Sequence, residues 1–270
     1  MQTKIELYND HFQNYKVYGI PKAQLVIADI PYNLGNNAYA SSPSWYVDGD
    51  NKNGESDKAG KLFFDTDTDF RIAEFMHFCS KMLRPEPKET GKAPAMIVFC
   101  AFEQFQMVIE YGKKYGFNHS YPLFFIKNYS PQVLKANMKI VGAVEYGLVL
   151  HRENNTEVVE DVEGAMVLYR EKLPKFNNNG KMVFNWFEVK KDNSVPKIHP
   201  TQKSVPLLKR LIEIFTDIGD VVIDPVAGSG TTLKAAAELN RNCYGFEIKK
   251  DFYKQAKEKM LSTIQQSFMI

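Results

Sequence analysis

Acids, glycines and aromatics gather in two short runs of this chain. The first is Leu25-Val26-Ile27-Ala28-Asp29-Ile30-Pro31-Tyr32-Asn33, an apolar strand ending in an acid, a proline and an aromatic. Pro31 restrains its own backbone and that of the residue before it, so a neighbouring carbonyl is held facing outward. Asp29 sets a second acceptor beside that carbonyl, and Tyr32 offers a flat face. An acceptor pair beside a ring is what grips the amino group of a stacked, extruded base. The same tetrapeptide also fits a strand-ending turn with a capping acid.

The second run is Asp220-Val221-Val222-Ile223-Asp224-Pro225-Val226-Ala227-Gly228-Ser229-Gly230-Thr231-Thr232. A strand ends at Asp224, a glycine turn follows, and a helix opens near Thr231. Gly228 and Gly230 let backbone approach a ligand closely and take positive φ. The helix N-terminus offers free amide donors to a carboxylate. No Lys precedes Thr231, so the run is not a phosphate P-loop. About 17 residues on, Cys243-Tyr244-Gly245-Phe246-Glu247 reads as a strand ending in an acid. An acid so placed accepts hydrogen bonds from ribose hydroxyls. The pair fits an adenosine-type ligand.

These runs need a scaffold that brings them together. Short apolar runs at Gln24–Ala28, Ala95–Cys100, Leu123–Ile126, Tyr146–Leu150, Val221–Ile223 and Cys243–Phe246 read as buried parallel strands. Helical patterns lie between them, at Phe70–Leu83, Glu103–Tyr115, Ser204–Phe215, Thr231–Leu239 and Phe252–Ile264. Alternating strands and helices predict an α/β, Rossmann-like, doubly wound and mostly parallel sheet. Ligands in such sheets sit at the carboxyl ends of the strands, where both runs fall.

Taken together, the two runs resemble the amino-directed DNA methyltransferases, and their order is similar to the beta class. There an Asp-Pro-Pro-Tyr motif comes first and the glycine loop lies near the C-terminus, a circularly permuted order. Here Asp29-Ile30-Pro31-Tyr32 precedes Gly228 by about 200 residues. The family's Asp-Pro-Phe-x-Gly-Ser-Gly-Thr is matched from Asp224 to Thr231, with Val226 for Phe. Its His-Pro-Thr-Gln-Lys-Pro is matched by His199-Pro200-Thr201-Gln202-Lys203-Ser204, with Ser204 for the last Pro. Ile30 replaces the motif's first proline, which keeps the carbonyl but loses the ring's restriction of φ.

The resemblance implies one methyltransferase domain over residues 1–270 that takes S-adenosylmethionine. It implies catalytic roles for Asp29, Ile30, Pro31 and Tyr32. The cofactor falls to Asp224, Pro225, Ala227, Gly228, Ser229, Gly230 and Thr231, with Thr201, Gln202 and Lys203 helping. Glu247 takes the ribose hydroxyls and Asp10 the cofactor's adenine amine. The expected target is the exocyclic amine of adenine in double-stranded DNA. The alternatives are the 4-amino group of cytosine and a DNA-binding relative impaired by Ile30.

Residues 152–197 mix charge, turn residues and aromatics, and are expected to form a small target-recognition insertion on the sheet's edge or end. Residues 35–60, rich in Asn, Ser, Gly and Asp, are expected to form a mobile loop that contacts DNA. Lys127, Asn128, Lys135, Lys172, Lys175 and Lys181 are the candidate DNA contacts.

The net charge of +2 means that any DNA face comes from local clustering. Cys79, Cys100 and Cys243 lack paired ligand spacing and read as reduced core thiols, so no metal is expected and the expected compartment is the cytoplasm. No apolar run reaches the roughly 20 residues of a membrane span. A homodimer and a restriction partner stay open.

Overall fold

The computed structural model describes residues 3–31, 70–101, 104–127, 133–135, 140–141, 161–199, 202–262 and 264. The strands are β1 (Ile5–Tyr8), β2 (Leu25–Asp29), β3 (Ala95–Phe99), β4 (His119–Lys127), β5 (Val133–Lys135), β6 (Ile140–Val141), β7 (Asp161–Tyr169), β8 (Trp186–Val189), β9 (Val221–Asp224) and β10 (Asn242–Phe246). The helices are α1 (Ile72–Met82), α2 (Phe105–Lys114), α3 (Val205–Phe215), α4 (Thr231–Glu238) and α5 (Lys250–Gln255). A 3₁₀ segment spans Phe12–Tyr18, and α5 continues as a π turn over Ala256–Leu261.

Eight of these strands form one sheet in the order β1-β10-β9-β2-β3-β7-β4-β8, and β5 pairs with β6 separately. The pairs β1–β10, β10–β9, β9–β2, β2–β3 and β4–β8 are parallel, whereas β7 runs antiparallel to β3 and β4. The expected doubly wound, mostly parallel sheet is present.

Alternation along the strands divides the core in two. Leu25, Ile27, Ile97, Phe99 and Val222 face α3, α4 and the C-terminal helix. Val26, Ala28, Met96, Val98 and Ile223 face the 3₁₀ segment, α1 and α2. A strand buried on both faces has to be apolar throughout, which is why these runs stood out in the sequence.

Of the segment 152–197, expected as an insertion on the sheet's edge or end, the described part begins at Asp161 and contributes two strands of the sheet itself. Within it β7 threads the sheet between β3 and β4, and Ala165, Met166, Val167 and Leu168 are buried. That apolar run needs cover on both faces, which only an interior place supplies. β8 then adds an edge strand beside β4. The candidate strand Tyr146–Leu150 and the loop 35–60 lie outside the described residues.

Candidate active site

β2 and β9 are neighbours in parallel register, with Val26 opposite Ile223. Both therefore deliver their terminal acids, Asp29 and Asp224, to the carboxyl end of the sheet. β10 brings Glu247 to the same end beside β9. Two runs that are remote in sequence thus come together at one end of the sheet.

The turn after β9 is shaped by its glycines. Gly228 has φ +51° and Gly230 φ +77°, a region that L side chains rarely adopt. Ala227 N–H donates to Phe246 O at 2.8 Å, which ties the turn to β10. Gly228 N–H donates to Glu247 Oε2 at 2.9 Å, and Lys249 N–H donates to Oε1 at 2.7 Å. Ser229 and Thr231 are buried, with their hydroxyl oxygens 3.4 Å apart.

Burial dominates the electrostatics here. It pushes the Asp224 carboxyl up to about 7, although Thr232 and the Val226 amide donate to it, and the charges of Asp29 and Glu247 push the same way. Burial likewise pushes Glu247 up to about 7, against the two backbone donors it holds. His199 is pushed down to about 4 by burial, then by Lys203 and Lys249. Its ring lies 4.6 Å from that of Phe252.

The first run is fixed from two sides. The Ile30 side chain is only 1% exposed, packed in the core with Phe75 and Met76. Its N–H donates to Phe99 O at 3.1 Å. The side chain of Gln104, buried between β3 and α2, donates to Pro31 O at 2.9 Å and accepts from Ala101 N–H at 2.9 Å. Sequence reasoning missed Gln104. Its only signal was an amide side chain at the start of a helix directly after β3.

Three other expected positions make contacts within the chain. The Asp10 carboxylate accepts from Tyr18 Oη, Asn14 and the His11 amide, which holds the 3₁₀ segment. Asn9 beside it donates to Glu247 O at 2.8 Å, so this turn abuts the β10 acid. Gln202 closes its own loop, accepting from Ile198 N–H at 3.0 Å and donating to Pro196 O at 3.1 Å. Lys203, expected at the cofactor, lies against Asp29, with Nζ 2.6 Å from Oδ2.

The expected DNA contacts divide between the two ends of the sheet. Lys127 ends β4 at the site end. Lys172 and Lys175 follow β7, which runs the other way, and so lie at the opposite end. Lys172 Nζ donates to Pro87 O and Lys88 O at 2.8 and 2.9 Å, and Lys175 pairs with Asp217. Lys181 is exposed in a turn near Asn177, which is anchored to the C-terminal end of α3. The structure thus removes Lys172 and Lys175 from the face that carries the acids. Tyr32, Asn128 and Thr201 lie outside the described residues, as do the side chains of Lys127 and Lys135.

The end of the sheet thus gathers a glycine turn at a helix start, a buried acid ending the next strand, and an acid on the adjacent strand. The chain matches the DNA methylase family over residues 23–258 and belongs to it. It is 36% identical over 123 residues to the type II methyltransferase M.MjaI of Methanocaldococcus jannaschii, a stretch covering 39% of this chain and 41% of that protein. It is 23% identical to the DNA adenine methyltransferase YhdJ of Escherichia coli, covering 94% of this chain and 81% of the relative.

Among solved structures, the M1.HpyAVI–SAM complex superposes with a TM-score of 0.62 at 20% identity, covering 94% of this chain and 98% of that one. PvuII DNA methyltransferase, cytosine-N4-specific, superposes at 0.61 with 14% identity, covering 99% and 93%. At these identities the superpositions establish the shared fold. Among the described residues, no helix is long and apolar enough to cross a membrane.

Proposed function

We propose that the protein transfers a methyl group from S-adenosylmethionine to the exocyclic amine of adenine in DNA. The observation that carries this reading is the placement of Asp29 and the Ile30 carbonyl beside the β9 glycine turn, on adjacent parallel strands. The residues present fit the cofactor. Positive φ at Gly228 and Gly230 keeps the turn's backbone open to a ligand, and Glu247 is a buried acceptor at the end of β10. Gly228 to Thr231 hold the methionine end and Glu247 holds the ribose. When bound, the cofactor supplies an electrophilic methyl group.

The chain's own residues act on the amine. Asp29 and the Ile30 carbonyl accept its two N–H bonds, which draws the nitrogen lone pair out of conjugation with the ring and aims it. Tyr32 stacks on the extruded base. Positioning and electrostatics lower the barrier without a covalent enzyme intermediate. Burial raises the Cys79, Cys100 and Cys243 thiols, which argues against a cysteine nucleophile and hence against cytosine carbon-5 chemistry.

Adenine is favoured over cytosine on two grounds. A leading Asp in the motif goes with adenine in the resembling family, and the relative matched over most of this chain carries an adenine activity in its name. Methyl transfer from labelled cofactor to two duplexes, one containing adenine and one lacking it, tests the proposal. Label in the first alone is expected, and equal label in both overturns the adenine assignment.

A further inference from the structure

Lys203 leads into α3, and its side chain is anchored from two directions. Nζ lies 2.6 Å from Asp29 Oδ2 and 5.0 Å from the centroid of the Phe99 ring on β3. The side chain is 10% exposed, against 26% for that of Asp29. The backbone on either side is fixed as well. Gln202 bridges Ile198 and Pro196 before it, and Asp192 Oδ2 accepts from Val205 N–H at 2.9 Å after it. The contact joins residues 174 positions apart and spans the two motifs.

We propose that Lys203 is a positioning residue for methyl transfer, holding Asp29 as an ionised, aimed carboxylate. This rests on the reading of Asp29 as an acceptor of the target amine. A protonated Asp29 would turn one of its acceptors into a donor, the wrong polarity for an N–H group.

The surroundings make ionisation costly. Asp224 from β9 and Glu247 from β10 converge on the same sheet end, and carboxyls so placed resist ionising together. Both already sit up at about 7. Among the described residues, the Cys100 thiol from β3 feels both Asp29 and Lys203, and the buried His199 feels Lys203 and Lys249. Cys100 and His199 are neutral near pH 7 and bring no compensating charge. Lys203 brings a cation into direct contact with Asp29, and the Phe99 face keeps that cation there.

Carbon-13 NMR titration of aspartate-carboxyl-labelled protein tests this, with Asp29→Asn assigning the resonance. Lys203→Met is expected to raise the Asp29 midpoint by at least one pH unit, whereas Lys203→Arg restores it. The acid limb of kcat/KM should move by the same amount. Calorimetric affinity for S-adenosylmethionine should change less than threefold. Lys203→Gln, which keeps a donor without the charge, serves if the Met variant does not fold.

An unmoved midpoint overturns the proposal. A tenfold loss of cofactor affinity with the midpoint unmoved places Lys203 on the cofactor instead. The midpoint needs no turnover, so a chain that methylates no DNA still answers this question while failing the proposed function.

Discussion

Ile30 donates its backbone N–H to the Phe99 carbonyl at 3.1 Å, while its side chain lies 1% exposed in the core. The residue therefore does two things, the first of which a proline, with no N–H, cannot do. It extends the β2–β3 ladder past Asp29, and it anchors the turn after β2 by packing. The sequence reading counted only what Ile30 lacks, the ring's hold on φ. Ile30→Pro is expected to lose the hydrogen bond and buried volume, costing about 1–3 kcal/mol. Turnover should fall with stability, as measured by denaturant unfolding and initial rates. A variant as stable and as fast as the parent would show that neither contact matters.

Gln104 holds the same turn from the other side, through Pro31 O and the Ala101 amide. Gln104→Ala leaves both part-buried groups without that partner, a loss of about 1–3 kcal/mol. Gln104→Glu keeps the acceptor for Ala101 but, when ionised, cannot donate to Pro31. Both variants are expected to lower kcat about tenfold while leaving cofactor affinity unchanged. If the Glu variant kept full kcat, the Pro31 contact would be dispensable.

The acid pair sets a pH dependence for cofactor binding. Glu247 sits up at about 7 through burial. A ligand that donates ribose hydroxyls and carries a sulfonium charge favours its ionised form, so binding below pH 7 expels a proton. Affinity should therefore rise as pH climbs through 7 and level off above, approaching one decade per pH unit for each group coupled. Asp224 lies in the same range, so Glu247→Gln should reduce the slope rather than abolish it. Calorimetry in buffers of different ionisation enthalpy reads the proton release directly. Binding that is flat from pH 6 to 8 would separate these acids from the ligand.

The DNA face is expected at the carboxyl end of the strands. Lys190 and Lys191 are exposed directly after β8, at that end. Lys172→Ala with Lys175→Ala should lower stability and leave DNA affinity unchanged. Lys190→Ala with Lys191→Ala should weaken binding and reduce the salt slope by about 1–2. Fluorescence anisotropy over a salt series distinguishes the pairs, and the reverse pattern would put DNA at the other end of the sheet.

What the sequence revealed follows from how local each signal is. β2, β3, β9 and β10 are apolar on both faces, and their cores stand out without any partner. β1 reads Ile5-Glu6-Leu7-Tyr8 and lies at a sheet edge, so it looks unremarkable alone. β7 opens with Asp161-Val162-Glu163-Gly164 inside a charged region, and its neighbours β3 and β4 are far off in the chain. Its Ala165–Leu168 run was the available clue. The glycine turn and its acids were readable because φ and capping are local. The Lys203–Asp29 contact was not, because it exists only once the sheet brings two distant motifs together.

Single-turnover methyl transfer by Asp29→Asn, with cofactor saturating, bears most directly on how the amine is held. Asn keeps the side chain's shape and removes the charge that draws on the amine. The account predicts a rate at least about 100-fold below the parent, the scale of losing one electrostatic contact in a reacting site. A rate within a few-fold of the parent would contradict it and move the amine's partner to another residue.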